Sequence, residues 1–349
     1  MLLNYYTIPC MFLLLVVMFV FRERLYKMLS PLSRGAASSF SFVSRRATIW
    51  ILGEVMFRLS SHLETHESSG FLCAADQHLR RYVLNHFEEL VMNWSRRIYG
   101  RTGSPRVYRL TKTIAIKFCS KTRSHEAETM RFVRTHTSIP IPEVVDVWTK
   151  EDGCVAMVME WVEGQNLAVV WPRLLPADKL HVADQLKRYL NELRLLRQPT
   201  DFAGWIGTHD MQPISDSLLS NKPCGPFTSG QEFNQFLTSR LAFMESTDDG
   251  RAELEGVKND VLETPHRRVV FTHSDIVARN ILVDDRNDIV AILDWEMAGW
   301  MPEQWEYLKA MWMGQYDEGW PEFVHLFLKP YGDDLRIHTE MCRLHGSPF

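Results

Sequence analysis

Two short apolar runs, ILV at 281–283 and IVAIL at 289–293, are separated by DDRND, a cluster of turn formers. That pattern predicts a β-hairpin, because Asp and Asn bond their own backbone and accept the angles of a tight turn. A hairpin brings its outer ends together, so Asn280, just before the first run, and Asp294, just after the second, are expected side by side. Upstream, VVFTH reads as a strand and FTHSDIVARN as the loop leaving it, which puts Asp275 one loop away. Two adjacent oxygen-bearing side chains, without a Cys or His cluster, suit a hard cation such as Mg2+. A third carboxylate nearby suits abstraction or orientation of a hydroxyl proton.

The 349 residues suffice for a large core and for two lobes, and a net charge of −4 gives no global case for nucleic-acid binding. Six cysteines are scattered without a C-x-x-C pair, which suggests neither a disulfide framework nor a zinc site and favours a reducing compartment.

The N-terminus carries YYTIPCMFLLLVVMFVF, uncharged and followed at once by RERLYK. Counted from Met1, residues 1–21 reach the length of a membrane-spanning helix, and the basic residues after it predict a single-pass anchor with the bulk of the chain cytosolic. A soluble cytoplasmic protein is the alternative. Residues 22–72 then read as a juxtamembrane linker and a helix, the linker being the Ser/Gly/Arg-rich 31–46.

Residues 73–162 read as a preceding helix and a small β-rich lobe. A helix over 73–98 has Leu79, Tyr82, Val83, His86, Phe87, Leu90 and Val91 on one face. Short runs ending in IAIKF read as strands, SHEAETMRFVRTHT as a helix, and VVDVWTKEDGCVAMVMEWVEG as two strands around a turn at Glu151–Gly153. Residues 163–349 turn helical. ADKLHVADQLKRYLNELRLLRQP places Leu180, Ala183, Leu186, Leu190 and Leu193 at helical period, and Ser229 with Glu232 has capping-box spacing. The stretch 199–228 reads as irregular.

The spacing H-x-D-x-x-x-x-N, here His273, Asp275 and Asn280, matches the catalytic loop of kinases. Other residues lie at compatible positions. Lys117 is inside a strand, as a phosphate-binding lysine is, and Glu126 and Glu128 open the next helix, where such a lysine finds its ion-pair partner. MVMEWVEG joins the two lobes, and Asp294 ends the second hairpin strand.

Together, VYRL…IAIKF, EAETMRFVRTHTSIPIPEV, VMEWVEG, VVFTHSDIVARNILVDD and AILDWEMAGWMPEQWEYLKAMW resemble the aminoglycoside phosphotransferase and choline kinase group, most closely its fungal branch, from about Tyr99 to Trp320. The resemblance implies an α+β, bilobal protein-kinase-like fold with an N-terminal helical extension. It implies ATP- or GTP-dependent transfer of a phosphoryl group to a hydroxyl of a small molecule. Asp275 would be the catalytic carboxylate, and Asn280 and Asp294 would hold Mg2+. Lys117 would meet the nucleotide phosphates, paired by Glu126 or else by Glu128, and Met159, Glu160 and Trp161 would meet adenine through their backbone.

Ser274 stands where the family usually has Gly, and Ile276–Val277–Ala278 where it often has Leu-x-Pro. These departures support the alternative of a catalytically inactive nucleotide- or partner-binding module. A protein kinase needs a long segment after the late Asp, and AGWMPEQWEYLKAMW leaves little room for one. Trp295, Trp300, Trp305 and Trp312 could line an acceptor pocket, though packing is the commoner role of such residues, and Glu296 could assist a metal or face the acceptor.

Overall fold

A computed structural model describes residues 81–345 except 82–83, 86–87, 121–124, 200–202, 242–247, 266 and 316. The chain divides into two compact units between Lys112 and Thr113.

In the first unit, helix α1 (Glu88–Tyr99) has Glu88 and Glu89 in its first turn and Arg96 and Arg97 in its last, the polarity the helix dipole favours. Val91 is a buried apolar residue of this helix, and Leu84, ahead of it in the chain, is buried too. Strand β1 (Val107–Arg109) follows, and Tyr108 receives a hydrogen bond from Arg96 Nη2 at 2.9 Å. Of the face expected over 73–98, Leu79, Tyr82, Val83, His86 and Phe87 lie outside the described residues.

The second unit opens with β2 (Ile114–Cys119), helix α2 (Glu126–His136), β3 (Val144–Thr149) and β4 (Val155–Glu160). β4 lies between β2 and β3 and pairs antiparallel with both, Met157 facing Lys117 on one side and Val147 on the other. A central strand has no solvent edge, which accounts for the unbroken apolar run VAMV. Lys117 and Cys119 share a face of β2 by the two-residue strand period.

The chain then becomes mainly helical. β5 (Gln165–Asn166) and the short α3 (Leu167–Val170) lead into α4 (Pro176–Leu193), followed by α5 (Gly230–Arg240) and α6 (Asp248–Glu263). Strands β6 (Val269–Thr272), β7 (Ile281–Val283), β8 (Ile289–Ile292) and β9 (Gly299–Pro302) carry the polar loop, and α7 (Trp305–Met313), α8 (Trp320–Phe327) and α9 (Gly332–His345) close the unit. β5, β7 and β8 form one antiparallel sheet, and β6 pairs with β9. One apolar cluster runs from Cys119 through Val182, Trp300 and Phe323 to Leu344. Trp295, Trp300, Trp305 and Trp320 are its largest fully buried side chains. Three of the four tryptophans considered for an acceptor pocket are therefore core residues, and Trp312 packs against the same cluster from its margin.

Two local expectations shift. On α4, Ala183, Leu186, Leu190 and Leu193 are buried as expected, joined by Val182 and Tyr189, while Leu180 is 52% exposed and falls outside the stripe. At α5, Ser229 Oγ accepts the N–H of Glu232, but the Glu232 carboxylate reaches past Ser229 to the N–H and hydroxyl of Thr228.

The single-pass membrane anchor, and with it the membrane as partner and location, is corrected. Among the described residues no helix is long and apolar enough to cross a membrane. The physical reason is length and patterning. α4, at 18 residues, is shorter than the roughly 20 apolar residues a bilayer requires, and it alternates its buried stripe with charges such as Asp178, Lys187 and Glu192. Residues 1–21, on which the expectation rested, lie outside the described residues, as do the linker and helix expected over 22–72.

Candidate active site

β2 and α2 deliver the first pair. Lys117 is 5% exposed, and its ammonium lies 2.7 Å from Glu126 Oε1, with Glu126 itself 2% exposed. Burial alone would lower the lysine pKa, but the charges of Glu126 and then Asp294 overcome it, and the net shift is upward, so the ammonium stays charged. Burial pushes Glu126 up, against the attraction of Lys117. Cys119 Sγ donates to the second oxygen of Glu126 at 3.3 Å, so both carboxylate oxygens are held. Glu128 instead pairs with Arg131 on the surface of the same helix. Glu126, not Glu128, is the lysine's partner.

The hairpin delivers the second pair. Ile281 faces Ile292, and Leu293 N–H donates to Asn280 O at 2.8 Å, which sets Asn280 beside the end of β8. Asp294 follows in the left-handed region, φ 67° and ψ 61°, and its Oδ1 receives Lys117 Nζ at 2.7 Å. Ligand oxygens of Asp294, Glu126 and Glu296 lie within 4.8 Å of one another.

Asp275 sits in the loop after β6. Asn280 Nδ2 donates to its carbonyl oxygen at 2.9 Å and to its Oδ2 at 2.7 Å. Those two bonds use both amide hydrogens of Asn280 and leave its oxygen as the group available to a cation. Arg279 Nη2 reaches Asp275 Oδ1 at 3.1 Å. Burial raises the Asp275 pKa, opposed by the cations of Arg279 and Lys309.

His273 ties the two halves of the site. Its Nδ1 accepts the N–H of Asp275 at 3.1 Å, so the ring proton belongs on Nε2, which donates to Leu293 O at 3.0 Å. The ring is wholly buried against Trp295, and burial lowers its pKa to about 4, which keeps it neutral.

Ser274 takes φ 64°, the left-handed region where Gly is at ease and other residues carry a cost of about 1–2 kcal/mol. Its hydroxyl lies 2.8 Å from Thr272 Oγ1, which returns part of that cost. Ser274 adjoins Asp275, and Asp294, itself one of the site carboxylates, also has positive φ, a strain often found at functional positions.

Sequence reasoning missed Glu306. Its carboxylate, 1% exposed, accepts the N–H of His273 at 2.6 Å and of Ser274 at 2.9 Å, and burial pushes its pKa to about 7. One turn on, Lys309 and Asp216 form a 2.6 Å pair with no exposed side-chain surface, and Asp216 also accepts from Trp305 Nε1 and Leu218 N–H. The available signal was α7 itself. WEYLKAMWM is buried on nearly every side, so its two charged residues require interior partners.

At the segment expected to meet adenine, the N–H of Glu160 already donates to Glu143 O and that of Trp161 to Thr113 O.

A family model described as a phosphotransferase enzyme family matches residues 95–341. Among solved structures, the chain is similar to the apo form of a thermostable mutant of aminoglycoside phosphotransferase APH(4)-Ia, with TM-score 0.50 and 14% identity over 73% of this chain and 89% of that one. It is similar also to wild-type aminoglycoside 2'-phosphotransferase-IIIa in its GDP complex, with TM-score 0.50 and 15% identity over 77% of this chain and 87% of that one. At these identities the likeness shows the fold, which is the α+β, protein-kinase-like fold of those enzymes. A search of curated proteins finds no match.

Proposed function

Because the chain belongs to the phosphotransferase enzyme family, we propose that it moves the γ-phosphoryl group of ATP or GTP to a hydroxyl of a small molecule. The observation that carries this reading is the meeting of Lys117 and Asp294 at 2.7 Å, with Asp275 and Asn280 tied to the adjoining end of the same hairpin. The donor set fits the groups the reaction needs. Asn280 and Asp294 offer oxygen atoms suited to Mg2+, and Lys117 offers the ammonium for phosphate oxygens. Magnesium, when bound, supplies neutralisation of the phosphate charge.

The chain's own residues do the rest. Asp275, oriented by Asn280 and Arg279, accepts the proton of the acceptor hydroxyl as that oxygen bonds phosphorus. The bond from phosphorus to the nucleotide's bridging oxygen breaks, and its electron pair leaves with the diphosphate. Lys117, held by Glu126, stays charged throughout. His273 and Glu306 fix the loop so that this placement, rather than covalent chemistry, lowers the barrier. The inactive-module alternative drew on Ser274, whose strained backbone is here supported by Thr272.

The test uses the full chain with labelled ATP and a metabolite extract as acceptor pool. Transfer of label to a small molecule by wild type, lost in Asp275→Asn with nucleotide affinity retained, is the expected result. Equal transfer by Asp275→Asn would remove the proposed role, and nucleotide binding without transfer over the whole pool would favour the inactive module.

A further inference from the structure

Arg279 is unusual among the ion-paired residues of the site in being largely open to solvent. Its side chain is 46% exposed, while the Asp275 side chain it touches is 7% exposed. The contact is one-pronged. Nη2 alone approaches the carboxylate, at 3.1 Å to Oδ1 and 3.5 Å to Oδ2. A guanidinium committed to a carboxylate ordinarily presents both prongs, at about 2.7–2.9 Å. Among the described residues, Asp275 is the only partner of this guanidinium, so Nε and Nη1 keep their donors. The backbone beneath is firm. Asn166 Nδ2 donates to Arg279 O at 2.7 Å, and Asn280 N–H donates to Val277 O at 3.0 Å.

The charge balance points the same way. Glu126, Asp275, Asp294 and Glu296 gather acids in the site, and a triphosphate adds more negative charge. Lys117 is already gripped by two of those acids at 2.7 Å each. Distance sets the reach. A hydroxyl donating to Asp275 Oδ1 lies about 2.7 Å from it, hence no more than about 6 Å from Nη2, and the phosphoryl oxygens around the phosphorus it attacks occupy the same neighbourhood.

We infer that Arg279 is a catalytic residue of the transfer step: its free donors clasp the oxygens of the phosphoryl group in flight while Nη2 steadies Asp275. This rests on the phosphotransfer reading above. It assigns to the chain its own arginine for charge that develops only in transfer, so Arg279 contributes to the transition state and little to nucleotide binding.

The experiment compares wild type, Arg279→Met and Arg279→Lys in thermal-shift titrations. The probes are Mg·ADP alone and Mg·ADP with aluminium fluoride, an anionic mimic of the group being transferred. Arg279→Met is expected to bind Mg·ADP within about twofold of wild type and the fluoride complex about tenfold or more weakly, with Arg279→Lys recovering part of the loss. Equal effects on the two probes, or none on either, overturn the assignment. Asp275→Asn is run alongside to separate the two ideas. If wild type binds neither probe, the phosphotransfer reading falls and the Arg279 role with it. If wild type binds both and Asp275→Asn loses transfer while Arg279→Met still binds the fluoride complex normally, the Arg279 role alone falls.

Discussion

Lys117 and Asp294, 177 positions apart in the chain, meet at 2.7 Å. The lysine arrives on β2 and the aspartate on the turn after β8, and Glu126 completes a triad of alternating charge in which Lys117 and Glu126 are buried and Asp294 is half-buried. Removing the ammonium strands two carboxylates. Lys117→Met is expected to destabilise the fold by about 3 kcal/mol, the scale of a broken buried pair, and to weaken nucleotide binding at least tenfold. Lys117→Met with Glu126→Gln should recover much of the stability and none of the affinity. Urea unfolding and nucleotide titration read the two separately, and full recovery of affinity in the double variant would refute the lysine's role.

Glu306 touches no proposed substrate position, yet it holds the backbone of His273 and Ser274. Glu306→Gln keeps one acceptor oxygen and sets an amide N–H₂ against a backbone N–H. It should cost about 2–3 kcal/mol and depress transfer well beyond what the stability loss explains. Transfer at wild-type rate in a folded Glu306→Gln protein would show that the loop does not depend on this brace.

Ser274 sits at φ 64°. Ser274→Gly exchanges backbone strain for the lost Thr272 bond, and the two nearly cancel, leaving stability within about 1 kcal/mol and transfer intact. Ser274→Val introduces a β-branched side chain where that conformation is an outlier, and should cost more than about 2 kcal/mol. Denaturation midpoints that rank Val level with Gly would mean the backbone is not held in the left-handed region.

His338 is buried beside Trp305 and Cys342, and burial lowers its pKa from 6.5 to about 4. Between those values the unfolded chain binds a proton that the folded chain refuses. Stability from this group is therefore lost as pH falls from about 6.5 to 4 and regained as pH rises through the same window. His338→Gln should flatten the dependence there by up to about 1.4 kcal/mol per pH unit. Glu306, raised to about 7, acts with the opposite sign above pH 4.5, but it is present in both proteins and cancels in the comparison. Melting temperatures measured across pH 4–7 decide the matter, and parallel curves would count against a neutral buried His338.

The hairpin was legible because two apolar runs with turn formers between them leave a chain few alternatives, and the strand around Lys117 because its alternation is bounded on both sides. The α4 stripe was legible at Ala183, Leu186, Leu190 and Leu193 but not at its start, since Leu180 and Val182 both fit a helical repeat and only packing decides which one turns inward. Glu306 looked like an ordinary first-turn acid, because local sequence does not reveal that α7 is buried all round. Arg279 escaped notice for the opposite reason. An exposed arginine four residues after an aspartate is common, and only the burial of Asp275 gives this one meaning.

The passage from Asp294 to Trp305 is committed throughout, first to a tight turn at Trp295–Met297, then to β9, then to the start of α7. α7 in turn holds the loop after β6, because its Glu306 accepts the N–H groups of His273 and Ser274. The docking of that helix and the placement of the loop are thus one event in folding, joined through a single side chain.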